Sequence, residues 1–139
     1  MTFRFQLHTG ALHLNGVGPF EHHDATSDFW SDRTRPEFRT GHILSTFDYA
    51  RTWTYRERHP DGDELAIVLN GRVELLTDHG RGEAAEPLEA GYGAIIPAGA
   101  WHRLRINEPS RLLFITPTPE RTEHHDLPAH LDEDASAIH

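Results

Sequence analysis

An all-β sandwich or barrel is the fold class this sequence predicts, on three observations. From Ile43 to Thr116 the chain runs as short β-prone stretches separated by Gly, Pro, Asn and Asp. No long stretch carries the helical period. The breaks fall at Pro60-Asp61-Gly62, Asn70-Gly71, His79-Gly80-Arg81-Gly82, Gly91-Tyr92-Gly93, Pro97-Ala98-Gly99 and Glu108-Pro109, the regular turn spacing of all-β domains. Asn70-Gly71, flanked by apolar runs, is the strongest single hairpin signal.

In chain order, residues 1–42 read as an N-terminal arm expected to pack on the barrel. It has turn-prone pieces at Asn15-Gly16-Val17-Gly18-Pro19 and Ser31-Asp32-Arg33, and Asp28-Phe29-Trp30 fits one short helical turn. Residues 43–116 form the barrel, and residues 117–139 a polar tail rich in Pro, acid and His, expected to be mobile or draped on the surface. A chain of 139 residues suits one domain with one core. It contains no cysteine, which excludes disulfides, zinc-thiolate sites and thiol nucleophiles. Neither an apolar run of spanning length nor the apolar stretch and small-residue site of a signal peptide is present, so the expected compartment is the cytoplasm. A formal charge of −9 repels phosphate backbones and argues against nucleic-acid binding. No glycine-rich phosphate loop or serine nucleophile elbow appears.

Strand alternation decides which side chains share a face. Trp53, Tyr55, Glu57 and His59 lie on one side of an extended stretch, and Arg56 and Arg58 on the other. Two arginines on a face mean solvent, so Glu57 and His59 point inward. In Trp101-His102-Arg103-Leu104-Arg105-Ile106 the same logic leaves Arg103 and Arg105 solvated and puts His102 inside with Leu104 and Ile106. Leu65, Ala66, Ile67, Val68 and Leu69 make the strand from Glu64 apolar on both faces. Its outer face needs cover from the N-terminal residues or from a second subunit, and a homodimer is expected.

One inward histidine is ordinarily a satisfied core residue. Two inward histidines with two inward acids are different, because burying unpaired carboxylates is very costly unless a metal, a cation or protonation compensates. No inward Lys or Arg is evident nearby, so a divalent cation is the simplest partner. Glu57 has three readings: ligand, general base or substrate contact, or surface acid. Alternation disfavours the last unless the strand carries a bulge. Trp53 and Tyr55 are core residues or the first candidates for a pocket wall. The pairs His22-His23 and His124-His125 read as surface residues, and Asp61 and Asp63 as turn chemistry around Gly62.

At these residues the sequence resembles the cupin superfamily. The first motif of that family has two histidines one residue apart, then Glu and Gly; here it reads Glu57-x-His59, four residues, Glu64, six residues, Gly71. The second motif reads Gly91, five residues, Pro97-Ala98-Gly99, two residues, His102. Glu57 stands where the first histidine is usual, Arg51 where an early glycine is usual, and Ile106 in place of Asn, with Asn107 one step late. The resemblance covers residues 43–116 and implies a cupin-type β-barrel, a double-stranded β-helix or jelly roll.

The resemblance also implies that His59, Glu64 and His102 are metal ligands, with Glu57 in the fourth position. A set of two histidines and a carboxylate suits iron first, then manganese or zinc, and nickel also fits. The implied protein is a small metal-dependent enzyme acting on a small organic substrate, whether as oxygenase, isomerase, lyase or cyclase. The metal would polarise a substrate oxygen or bind dioxygen, with Glu57 as catalytic base if it is not a ligand. The alternatives are a non-catalytic cupin module sensing a small ligand or metal, and a barrel with no metal, against which the inward acids count.

Overall fold

The computed structural model describes residues 2–128; the rest of the predicted tail, 129–139, lies outside the described residues. Antiparallel strands make up just over half of the described residues: β1 (Gly10–Leu14), β2 (Glu21–Asp24), β3 (His42–Tyr49), β4 (Tyr55–Arg58), β5 (Glu64–Asp78), β6 (Glu83–Glu89), β7 (Gly93–Ile96), β8 (Trp101–Pro117) and β9 (Glu123–Asp126). One short helix, α1 (Ser27–Ser31), carries Asp28, Phe29 and Trp30 and is capped by Thr26, whose hydroxyl accepts from the Phe29 N–H. Among the described residues no helix is long and apolar enough to cross a membrane.

The two longest strands organise the fold. One half-sheet runs β2-β1-β3-β8-β5-β7, using the C-terminal half of β8 and the N-terminal half of β5. The other runs β9-β4-β8-β5-β6 on the remaining halves. β5 and β8 therefore pass from one layer into the other, giving the expected all-β jelly-roll barrel. Trp53, Val68, Val73, Leu75, Leu104, Ile106, Leu112 and Phe114 are buried between the layers. A smaller cluster of Ala11, Phe29, Phe38 and Ile43 ties the N-terminal residues to β3.

Asn70-Gly71 is not the hairpin that the sequence suggests. It lies inside β5, where the register against β8 shifts between Val68 and Val73. Gly71 has φ 97, and a Cβ there would strike Ser110 Oγ and the Pro109 carbonyl. The same left-handed residue that closes a tight turn also builds a β-bulge, and here it bends the strand between layers. The hairpin out of β5 comes instead at His79–Gly82, where Asp78 Oδ1 accepts from the N–H groups of Gly80 (2.7 Å) and Gly82 (3.2 Å). Gly71→Ala is expected to cost well over about 1 kcal/mol. Gly80→Ala should cost less, since Gly80 shares φ 97 but has nothing within 4 Å. Chemical denaturation of the two variants checks the order, and equal midpoints would contradict the bulge account.

β5 is apolar on both faces, as the sequence implies. Ala66 and Val68 are buried; Leu65 and Ile67 are half-buried, and Leu69 is exposed. The outer face continues across the layer through the pairs Leu65↔Ile95, Leu65↔Ile115 and Leu44↔Ile115, and Ile95 is 70% exposed. The N-terminal residues extend this half-sheet sideways through β1, which pairs with β3.

Arg103 departs from its expected solvation. Its backbone alternation points the side chain outward, but Glu83 of β6 binds it through Nε (2.7 Å) and Nη2 (2.9 Å), leaving it 5% exposed. Arg105 pairs with Glu74 at 3.3 Å. Arg56 and Arg58 lie on the outer face as expected, with both guanidiniums over the Trp101 ring.

Candidate metal centre

Two turns set the entrance of the site. Gly99 adopts φ 79 in the Pro97-Ala98-Gly99 turn, and its N–H donates to the His59 carbonyl at 2.9 Å. Asp63 Oδ1 accepts from the Ala98 N–H at 2.9 Å, so the acid after Gly62 does turn work as expected, but across to the second turn. The end of β4 is thereby fastened to the start of β8, and His59 meets His102 with ring centroids 5.3 Å apart. Glu57 is the register partner of His102, and Glu64 enters from the first residue of β5.

Glu57, His59, Glu64 and His102 each present a donor atom within 4.8 Å of the others, forming a group able to hold a metal ion. Glu57, His59 and His102 thus face inward as alternation predicts, Glu64 joins them, and Glu57 faces the cluster rather than solvent. His59 Nε2 and His102 Nε2 stand 3.1 Å from the two Glu64 oxygens and 3.4 Å from Glu57 Oε1. Despite this closeness, His59 Nε2, His102 Nε2 and Glu64 Oε1 are buried without a directed hydrogen bond. Donors about 2.1 Å from one cation stand roughly 3–4 Å apart, so these orphaned atoms have the spacing of a coordination shell. The residues fit a divalent cation.

The opposite sides of the donor groups are held. His102 Nδ1 faces the Ala100 carbonyl at 3.3 Å, and since a carbonyl only accepts, Nδ1 carries the proton and Nε2 its lone pair in the neutral ring. His59 Nδ1 bonds Thr122 Oγ1 at 2.8 Å. Thr116 Oγ1 donates to Glu64 Oε2 at 2.7 Å, and His124 Nε2 bonds Glu57 Oε2 at 2.8 Å. Such outer partners fix ring and carboxylate orientation at metal sites.

Without a metal the cluster is a set of ion pairs. Burial opposes a charged imidazole, but the close carboxylates of Glu57 and Glu64 outweigh it and raise His59 to about 9 and His102 to about 10. Burial likewise opposes ionising the acids; His102, His124 and His59 hold Glu57 well below its usual range, and His102 and His59 lower Glu64. Desolvation, aided by the charges of Glu57 and Glu64, pushes the Tyr49 and Tyr55 phenols upward, so both stay neutral donors.

A cavity of about 350 Å³ opens onto the cluster. Trp53 and Tyr55 line it, stacked at 4.8 Å, as do Phe47, Tyr49, Phe114 and Trp30. Trp53 is also part of the core.

Sequence reasoning missed Thr116, Thr122 and His124. Both histidines of the His124-His125 pair are exposed, as expected, but β9 pairs with β4 in the register Glu57↔His124, which puts His124 beside Glu57, while His125 lies near Trp101. The described part of the predicted tail is docked, by Arg58–Glu123 (2.7 Å), Arg121–Asp61 (3.0 Å) and Leu127 N–H to the Thr54 carbonyl (3.0 Å). Alternation within the EHHD stretch separates the two histidines, but nothing local says which strand it joins.

A family model for the cupin domain matches residues 46–116. The chain belongs to the cupin family. Solved structures similar to this cupin include a cupin-2 domain containing protein from Shewanella frigidimarina, at 22% identity and TM-score 0.48, covering 55% of this chain and 70% of the other. A conserved protein of unknown function from Streptococcus pyogenes aligns at 23% identity and TM-score 0.49, over 58% and 68% of the two chains. Hydroxypropylphosphonic acid epoxidase from S. wedmorenis aligns at 13% identity and TM-score 0.47; 54% of this cupin is covered and only 43% of the epoxidase. No curated protein matches the chain.

Proposed function

We propose that this cupin binds one divalent cation through Glu57, His59, Glu64 and His102 and acts as a metal-dependent enzyme on a small organic molecule held in the adjoining cavity. Iron is the first candidate, then manganese or zinc. The observation that carries the reading is the convergence of four donor groups, three with orphaned buried atoms, at the inner end of that cavity. When bound, such a cation supplies Lewis acidity or redox chemistry toward a substrate oxygen. The chain's own residues do the rest: the aromatic walls exclude water, and the neutral Tyr49 and Tyr55 hydroxyls are available to donate to a bound polar group. Elemental analysis of purified, metal-loaded protein should find about one metal per chain, and absence of stoichiometric metal would overturn the reading.

Glu57 is assigned as a ligand rather than a free base. Its Oε1 faces the histidine pair while Oε2 is held by His124. A carboxylate held well below its usual range is also a poor proton acceptor. Glu57→Gln should weaken metal binding at least about tenfold, and His124→Phe by about tenfold, the size typical of an outer partner. Chelator competition reads both. Normal affinity with lost turnover in Glu57→Gln would instead make Glu57 the base.

We also propose that the apolar outer face around Leu65, Ile67, Leu69 and Ile95 packs on a second copy of this chain, since the N-terminal strands lie beside that layer. Light scattering at micromolar concentration should give a dimer mass, and Ile95→Lys a monomer. A monomeric wild type would remove this assignment.

A further inference from the structure

We propose that the cavity takes a small aromatic carboxylate, with its ring between the aromatic walls and its negative charge answered by Arg33. This deepens the proposed function by naming the substrate class of the same site.

The walls supply the first half of the argument. Phe47 and Tyr49 alternate inward from β3, Phe114 from β8, and Trp53 and Tyr55 approach along the run into β4. Trp30 closes the α1 side and lies 5.5 Å from the Phe47 ring. Rings on three sides of so small a space favour a flat, polarisable guest that makes offset or edge contacts with several of them. A flexible aliphatic chain gains less from such walls and loses more rotamer freedom on entering.

Charge supplies the second half. With a divalent cation in place, the carboxylates of Glu57 and Glu64 cancel its charge. Arg33 is the guanidinium in the lining, and its positive charge is additional to the cation that the two acids match. Among the described residues its side chain makes one hydrogen bond, from Nη1 to the Pro119 carbonyl at 2.8 Å, which leaves other N–H groups for a ligand. Ser45, only 2% exposed, also lines the cavity and brings a hydroxyl to its wall. A planar carboxylate meets the guanidinium fork in bidentate fashion, which a neutral oxygen cannot do.

Isothermal titration with benzoate, cyclohexanecarboxylate and benzyl alcohol tests this on metal-loaded and metal-free protein, with metal content measured on the same samples. Benzoate should bind at least about tenfold tighter than either other probe. Arg33→Gln should erase the advantage over benzyl alcohol while metal content stays unchanged, and Arg33→Lys should restore part of it. Benzoate binding no tighter than cyclohexanecarboxylate overturns the proposal, because the rings then select nothing. Benzoate binding no tighter than benzyl alcohol overturns it as well, because the charge then selects nothing. Full metal content without benzoate preference sinks this inference alone. A benzoate preference in protein that takes up no metal supports it and sinks the metal reading instead.

Discussion

His59→Ala and His102→Ala should each drop the metal content from about one per chain to near zero. Each removes an imidazole whose Nε2 faces the cluster and leaves Glu57 and Glu64 side by side with one positive partner fewer. Losing even an outer partner at such sites typically costs about 10–100-fold in affinity, so losing a ligand should cost at least about a hundredfold. The metal-free variants should also melt below metal-free wild type, since the two carboxylates then lose one of their imidazole partners. Elemental analysis, chelator competition and a melting curve read these effects together. Full occupancy in both variants would show the assignment of the centre to be wrong.

Metal uptake should release two protons near neutral pH. His59 at about 9 and His102 at about 10 are both protonated in the metal-free protein, and both must lose that proton to offer Nε2. Apparent affinity should therefore rise about a hundredfold per pH unit up to about 9, then about tenfold per unit to about 10, and level off above that. Stability of the metal-free protein follows the opposite sign. The raised histidines contribute fully below their ordinary 6.5, and that contribution is lost as pH rises toward 9–10. The lowered acids contribute above their ordinary 4.5, and their contribution is lost as pH falls below it. Metal-free protein should be most stable between 4.5 and 6.5, whereas the stabilisation added by metal should grow with pH. Calorimetric titration in buffers of different ionisation enthalpy counts the protons. A count near zero would mean that the metal-free histidines are neutral.

What the sequence determined by itself is everything that depends on local period and local spacing. The all-β class follows from turn residues recurring between β-prone runs. The inward facing of Glu57, His59 and His102 follows from alternation against Arg56, Arg58, Arg103 and Arg105, because successive side chains of a strand must point to opposite faces. Motif spacing brought in Glu64, so the whole four-residue cluster was legible before any coordinates.

The tertiary structure alone decided which strand lies beside which. Asn70-Gly71 suits a tight turn and a bulge equally, and only the β5–β8 ladder running past it on both sides makes it a bulge. Arg103 points outward by alternation, yet Glu83 covers it from the neighbouring hairpin arm. Thr122 and His124 reach His59 and Glu57 because β9 pairs with β4, a contact between segments more than sixty residues apart. The six-ring cavity likewise needs α1 to stand near β3 and Arg33 to reach Pro119. Backbone hydrogen bonds of a strand are the same for any partner, so facing can be read from a short stretch of residues, whereas partnership is settled only when the whole core packs.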